Sequence, residues 1–106
     1  METGGPQVHA LVAEKREQIL ALCEKHKVRS LALFGSATTG EFDPDRSDLD
    51  FVVEFESPSL KAFVGLAEDL ESLCGRKVDL VSARAIRNPF FQKTVHDTRV
   101  LLYEAA

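Results

Sequence analysis

Asp48-Leu49-Asp50 sets two carboxylates one residue apart at the head of a stretch, Asp48 to Phe55, that is rich in β-formers. On a strand, residues two apart point to the same face, with Cα atoms about 6.5–7 Å apart. Two carboxylates held side by side in a poorly hydrated cleft repel each other. A shared proton or a divalent cation offsets that repulsion. With oxygen donors and no His beside them, the natural cation is magnesium or manganese. An isolated Asp-x-Asp also fits a plainer reading, in which Asp48 caps a turn and both acids face water.

Asp79 bears on that choice. It lies in Lys77-Val78-Asp79-Leu80-Val81, a predicted strand whose alternation puts Val78 and Leu80 on one face and Asp79 on the other. If this strand neighbours the one carrying Asp50, Asp79 joins Asp48 and Asp50. Three converging carboxylates can bind two metal ions about 3.5–4 Å apart and also supply a base. The competing reading leaves Asp79 on the solvent face of a half-exposed sheet.

Gly35-Ser36 directly follows the apolar run Val28 to Phe34. Glycine there permits close backbone approach, and N–H groups at a following helical turn favour an anion. The Ser36 hydroxyl can donate to a phosphate oxygen. Gly35 and Gly40 have the glycine spacing of a P-loop, but Glu41-Phe42 stands where that loop needs Lys and Ser or Thr. An acid in the lysine position would repel phosphates, and no Gly-x-Gly-x-x-Gly pattern exists either. Gly35-Ser36, eleven further residues, Asp48-x-Asp50 and a strand acid at Asp79 describe a site for a metal-bound nucleoside triphosphate. Bridging cations make the meeting of polyphosphate and carboxylates favourable, and positioning supplies most of the catalysis.

The elements that must carry these residues follow from periodicity. Val8, Leu11, Val12, Ile19, Leu22 and Cys23 form one stripe and predict an amphipathic helix from Val8 to about Lys27. Val28 to Phe34 predicts a buried strand, Ser36 to Ser47 a loop with one helical turn near Ala37 to Glu41, and Asp48 to Phe55 a second strand. Leu60, Phe63, Ala67, Leu70 and Cys74 run at helical spacing to a stop at Gly75. Lys77 to Val81 is the third strand. Asn88-Pro89 opens a helix to about Asp97 by the cap-then-proline rule, and Val100 to Tyr103 makes a last strand. The alternation predicts an α/β (α+β) domain, with helices packed on a small mixed β-sheet. Residues 1–7 are expected to form a flexible tail, and 8–106 a single domain.

Composition limits what such a domain can be. A chain of 106 residues suits one compact domain. Its 13 Lys plus Arg against 17 Asp plus Glu, net charge −4, argue against direct nucleic-acid binding. No apolar run approaches the roughly 18–20 residues that span a bilayer, and the N-terminus lacks a signal-peptide pattern, so a cytoplasmic location is expected. Cys23 and Cys74 have no ligand-like neighbourhood and read as small core residues. His9, His26 and His96 are scattered singly and are assigned no chemistry. Arg46 suits a solvated loop better than a phosphate contact, and Arg76 and Lys77 suit an exposed strand edge. Phe90 and Phe91 are adjacent, so a helix cannot bury both fully, and one is free for a protein contact.

The string Leu33-Phe34-Gly35-Ser36 … Ser47-Asp48-Leu49-Asp50-Phe51-Val52-Val53 resembles the signature of the nucleotidyltransferase superfamily with the DNA polymerase β fold. In particular it resembles the minimal nucleotidyltransferases of bacteria and archaea. The likeness extends through Lys77-Val78-Asp79-Leu80-Val81 and Asn88-Pro89 … Leu102-Tyr103-Glu104, nearly the whole domain. The loop between Ser36 and Asp48 is one residue longer than the commonest family spacing. The resemblance implies that Gly35 and Ser36 bind the triphosphate and that Asp48, Asp50 and Asp79 ligate metal. It further implies that Asp79 takes the proton from an attacking hydroxyl. It implies ATP as substrate, two Mg2+ ions, and transfer of AMP with release of pyrophosphate. Minimal members are often antitoxins of HEPN-type toxins, and some place AMP on a tyrosine of that partner.

Size favours a partner that brings its own docking surface, because a sheet and its helices consume most of the chain. The same shortage argues against a stand-alone antibiotic adenylyltransferase, which would need an added domain or a dimer, and against a polymerase. A homo-oligomer stays open. The rival from another class is a non-catalytic antitoxin that neutralises its partner by occlusion. A glycosyltransferase reading of Asp-x-Asp fails because those folds need a longer chain.

Overall fold

The computed structural model describes residues 8–105. The tail expected at 1–7 lies outside them. The chain runs α1 (Ala10–Ala13), α2 (Arg16–Lys25), β1 (Val28–Phe34), α3 (Ser36–Thr39), β2 (Leu49–Phe55), α4 (Leu60–Cys74), β3 (Val78–Ser82), a 3-10 turn (Ala83–Ala85), α5 (Pro89–Thr98) and β4 (Val100–Glu104). The four strands form one mixed sheet in the order β3-β2-β1-β4. β1 pairs antiparallel with β2 and β4, and β2 pairs parallel with β3 across the α4 crossover. This is the predicted small mixed sheet with helices packed on it.

Strand alternation sorts the apolar residues onto two faces. Leu31 and Leu33 of β1 and Leu49, Phe51, Val53 and Phe55 of β2 join Ile19, Cys23, Leu66 and Leu70 in the main core, against α2 and α4. Ala32, Phe34 and Val52 point the other way and meet Val95 of α5, with Val81, Ile86 and Phe91 partly buried around them. Asp50 belongs by parity to that second face, which α5 covers only in part.

Local signals end the helices where expected. Ser59 caps α4 by accepting from Ala62 N–H, and Gly75 closes it in a left-handed conformation. Asn88 Oδ1 accepts from the N–H groups of Phe90 and Phe91, with Pro89 in the first turn of α5. Phe91 is half-buried edge-on against Phe34, with ring centroids 5.7 Å apart, while Phe90 is 83% exposed. One of the two adjacent phenylalanines is thus exposed, as predicted.

The first helix differs from expectation. Instead of one helix from Val8 to Lys27, the chain turns at Glu14-Lys15 and separates α1 from α2. Residues Glu14 to Gln18 contribute no large apolar side chain to hold a continuous helix on the core. α1 is instead pinned by tertiary contacts. His9 N–H donates to Ala37 O (3.0 Å), its ring lies 4.7 Å from that of Phe42, and its Nδ1 accepts from Leu11 N–H. Strand boundaries shift by one residue: β2 starts at Leu49 rather than Asp48, and β3 covers Val78–Ser82 rather than Lys77–Val81. Both cysteines are free: Cys23 is buried, its thiol pushed up to about 12 by burial, and Cys74 is partly buried. Among the described residues no helix is long and apolar enough to cross a membrane.

Candidate active site

The candidate carboxylates come together through strand register. β2 and β3 pair so that Asp50 stands opposite Asp79, on the same face of adjacent parallel strands. Asp48 immediately precedes β2, whose first amide, Leu49 N–H, bonds Lys77 O at 3.3 Å. Asp50 is half-buried and Asp79, on the edge strand, is exposed. The Asp50 carboxyl is pushed up to about 6, first by burial and then by the negative charges of Asp79 and Asp48.

That shift bears on whether these residues suit a cation. Asp50 feels the charges of Asp79 and Asp48, and three carboxylates with only hard oxygen donors match magnesium rather than a softer metal. Their side chains do not form a closed cage as they stand: among the described residues no three His, Cys, Asp or Glu are gathered tightly enough to hold an ion. The donor chemistry fits: all three are carboxylates, Asp79 exposed and Asp48 and Asp50 half-exposed. The nearest countercharge to Asp48 is Lys77 Nζ at 3.9 Å, an exposed pair of little energetic weight.

Gly35 follows the last residue of β1, and Phe34 pairs with Asp50, so the turn sits beside the acids. Its φ of 78° and ψ of −148° are a conformation essentially reserved for glycine. A Cβ added there would meet Asp50 Oδ2 at 2.6 Å. Ser36 then opens the single turn of α3, whose first N–H groups have no partner within the helix. The Gly35 N–H is paired within the chain. It donates to Thr98 Oγ1 at 2.9 Å. The longer loop before Asp48 is ordered by its own polar groups: Asp43 N–H donates to Ser47 Oγ, and Asp43 O accepts from the N–H groups of Arg46 and Ser47.

The cations weighed from sequence take modest positions. Arg46 is exposed on the loop. Arg76 lies over the Phe42 ring, 5.0 Å from its centroid, and donates to Ser47 O at 3.4 Å, so it braces the loop rather than standing free at a strand edge. His26 Nε2 is 2.7 Å from Asp69 Oδ2, linking the end of α2 to α4, and no histidine lies among the candidate acids. Thr38 and Thr98 were not singled out from sequence. Isolated threonines in short helical segments carry no motif, and only the tertiary hydrogen bonds reveal them.

Over residues 15–102 the sequence matches the nucleotidyltransferase domain family. It is 43% identical over 79 residues to protein adenylyltransferase MntA of Thermococcus cleftensis, a match covering 74% of this chain and 75% of that protein. A solved structure provisionally described as a minimal nucleotidyltransferase aligns with a TM-score of 0.72 and 34% identity, covering 92% of this chain and 98% of that one. A chain of a toxin–antitoxin crystal structure with AMP-PNP aligns with a TM-score of 0.69 and 26% identity, covering 85% of this chain and 73% of that one.

Proposed function

The chain belongs to the nucleotidyltransferase domain family, and on that premise we propose that it transfers AMP from magnesium-bound ATP to a hydroxyl of a partner protein. The observation that carries this reading is the register of Asp50 opposite Asp79, with Asp48 just upstream, beside a glycine turn that leaves no room for a side chain. Its partner is a HEPN-type toxin, as the family resemblance implies. The relative from Thermococcus cleftensis, a protein adenylyltransferase by name, and the toxin–antitoxin structure with AMP-PNP support both halves of the proposal.

Asp48, Asp50 and Asp79 would hold the magnesium ions. Bound magnesium would supply positive charge that offsets the charge of the polyphosphate and of the departing pyrophosphate. The chain's own residues supply position and a proton acceptor. Gly35 lets the β1 turn lie against Asp50, and the Ser36 hydroxyl donates to a phosphate oxygen. The acceptor oxygen forms a bond to the α-phosphorus while the bond to the bridging oxygen breaks and pyrophosphate leaves. Asp79, exposed on the edge strand, is reachable by an acceptor hydroxyl and takes its proton.

Intact-mass measurement of a HEPN-fold protein encoded beside this chain, incubated with it and magnesium-ATP, tests the proposal. One or more adenylyl additions are expected, absent with Asp48→Asn. Neutralisation of the toxin that survives Asp48→Asn, with no mass change for the native pair, would instead establish the occluding antitoxin.

A further inference from the structure

We propose that Thr98 and Thr38 are positioning residues, a hydroxyl latch that sets the Gly35–Ser36 turn against Asp50 by tying it to the end of α5. Thr98 Oγ1 accepts the Gly35 N–H at 2.9 Å and donates to Thr94 O at 2.7 Å, so its single proton and one lone pair are both engaged. Thr38 Oγ1 lies 2.6 Å from Thr98 O and 3.0 Å from Gly35 O. Its one proton is shared between two acceptors, one on each of the segments being joined.

Two observations separate this latch from ordinary surface hydrogen bonds. Thr38 is 3% exposed, the sole buried polar residue among those described, and no buried side-chain nitrogen or oxygen among them lacks a partner. A buried hydroxyl of this kind is costly to leave unpaired, so the geometry is enforced from both sides. Second, α5 grips two consecutive residues, the last of β1 and the first of the turn. Phe91 packs edge-on against Phe34, and Thr98, seven residues and about two helical turns later, holds Gly35. The turn next to Asp50 is therefore referenced to a helix on the open face of the sheet rather than to β1 alone. Because a Cβ at Gly35 would meet Asp50 Oδ2 at 2.6 Å, the turn borders the space that carboxylate occupies, and loosening the turn alters that space.

The positional claim is independent of the reaction; its kinetic consequence rests on the proposed AMP transfer. Thr98→Val keeps the branched shape and removes both Oγ bonds, whereas Thr98→Ser keeps the hydroxyl. Amide hydrogen exchange is expected to quicken about tenfold at Gly35–Thr38 in Thr98→Val, with β1–β2 core amides unchanged and Thr98→Ser close to native. In transfer assays Thr98→Val should raise the KM for ATP about tenfold and leave the KM for the acceptor protein unchanged, again with rescue by serine. Native-like exchange in Thr98→Val, or equal damage in Thr98→Ser, overturns the latch. If Thr98→Val fails to fold, the unsubstituted chain still decides: a Gly35 amide that exchanges like a free peptide excludes it. A native chain that transfers no AMP defeats the functional reading but leaves the exchange result to judge the latch.

Discussion

Gly35 and Asp50 meet so closely that no side chain fits between them: a Cβ at Gly35 would lie 2.6 Å from Asp50 Oδ2. Two strictures coincide at this point, since the φ of 78° already excludes most L-residues. The cheapest relief for any substitution is rotation of the Asp50 carboxylate, which is the group proposed to hold metal. The turn is therefore tuned to the acid more than to the stability of the sheet.

Gly35→Ala should consequently damage function out of proportion to folding. Backbone strain should cost about 1–3 kcal/mol in thermal or urea unfolding. Transfer of AMP should fall at least about a hundredfold, since a misplacement near 1 Å can cost that much. Parallel measurement of stability and rate checks this. A rate loss no larger than the unfolded fraction would show that the close contact has no role in the site.

Asp50 should make the metal-free protein less stable as pH rises. Its carboxyl is pushed up to about 6 in the fold, from an ordinary value of 3.8, so the native state holds a proton that the unfolded chain releases. Stability then declines between about pH 4 and pH 6 and is constant above, where the charged form carries its full cost. Allowing for screening of a half-exposed group, the loss is about 1 kcal/mol. Asp50→Asn removes this slope and is more stable than the native chain at pH 7 in chelator. Urea titrations from pH 4 to pH 8 that run parallel for the two proteins would contradict it.

Metal removal should separate nucleotide binding from folding. Calorimetry is expected to show ATP binding with magnesium and at least about tenfold weaker binding with chelator, while unfolding in the two buffers differs little without nucleotide. Asp50→Asn should reproduce the weakened binding in the presence of magnesium. Equal ATP affinity with and without the metal would remove the carboxylates from nucleotide binding.

Gly65 illustrates a glycine retained for a neighbour rather than for its backbone. It sits inside α4, and a Cβ there would stand 2.9 Å from His26 Cε1, on a side chain only 14% exposed that is held by Asp69. Gly65→Ala should therefore destabilise the native chain despite alanine's higher helix propensity. In a His26→Ala background the same substitution should stabilise by about 0.5–1 kcal/mol. A double-mutant cycle from thermal unfolding tests the reversal of sign.

The local chemistry was legible because it depends on short-range rules. Period-two alternation put Asp48 and Asp50 on one side and turned Asp79 away from Val78 and Leu80. Asn88-Pro89 announced α5 through its cap, and Gly75 ended α4, since both act within one turn of backbone. What spacing could not supply was that β3 lies beside β2, in the register that sets Asp79 opposite Asp50. Strand order is decided by which apolar faces can be buried together across the whole chain, a non-local quantity. The same reason explains the break between α1 and α2, where His9 is drawn to Phe42 and Ala37. It also explains Thr98, whose partners Gly35 and Thr38 lie 63 and 60 residues away and leave no mark on its immediate neighbours in sequence. The candidate acids were thus legible locally, whereas the pairing of Asp50 with Asp79 came from tertiary packing, because only closure of the core brings distant segments into one place.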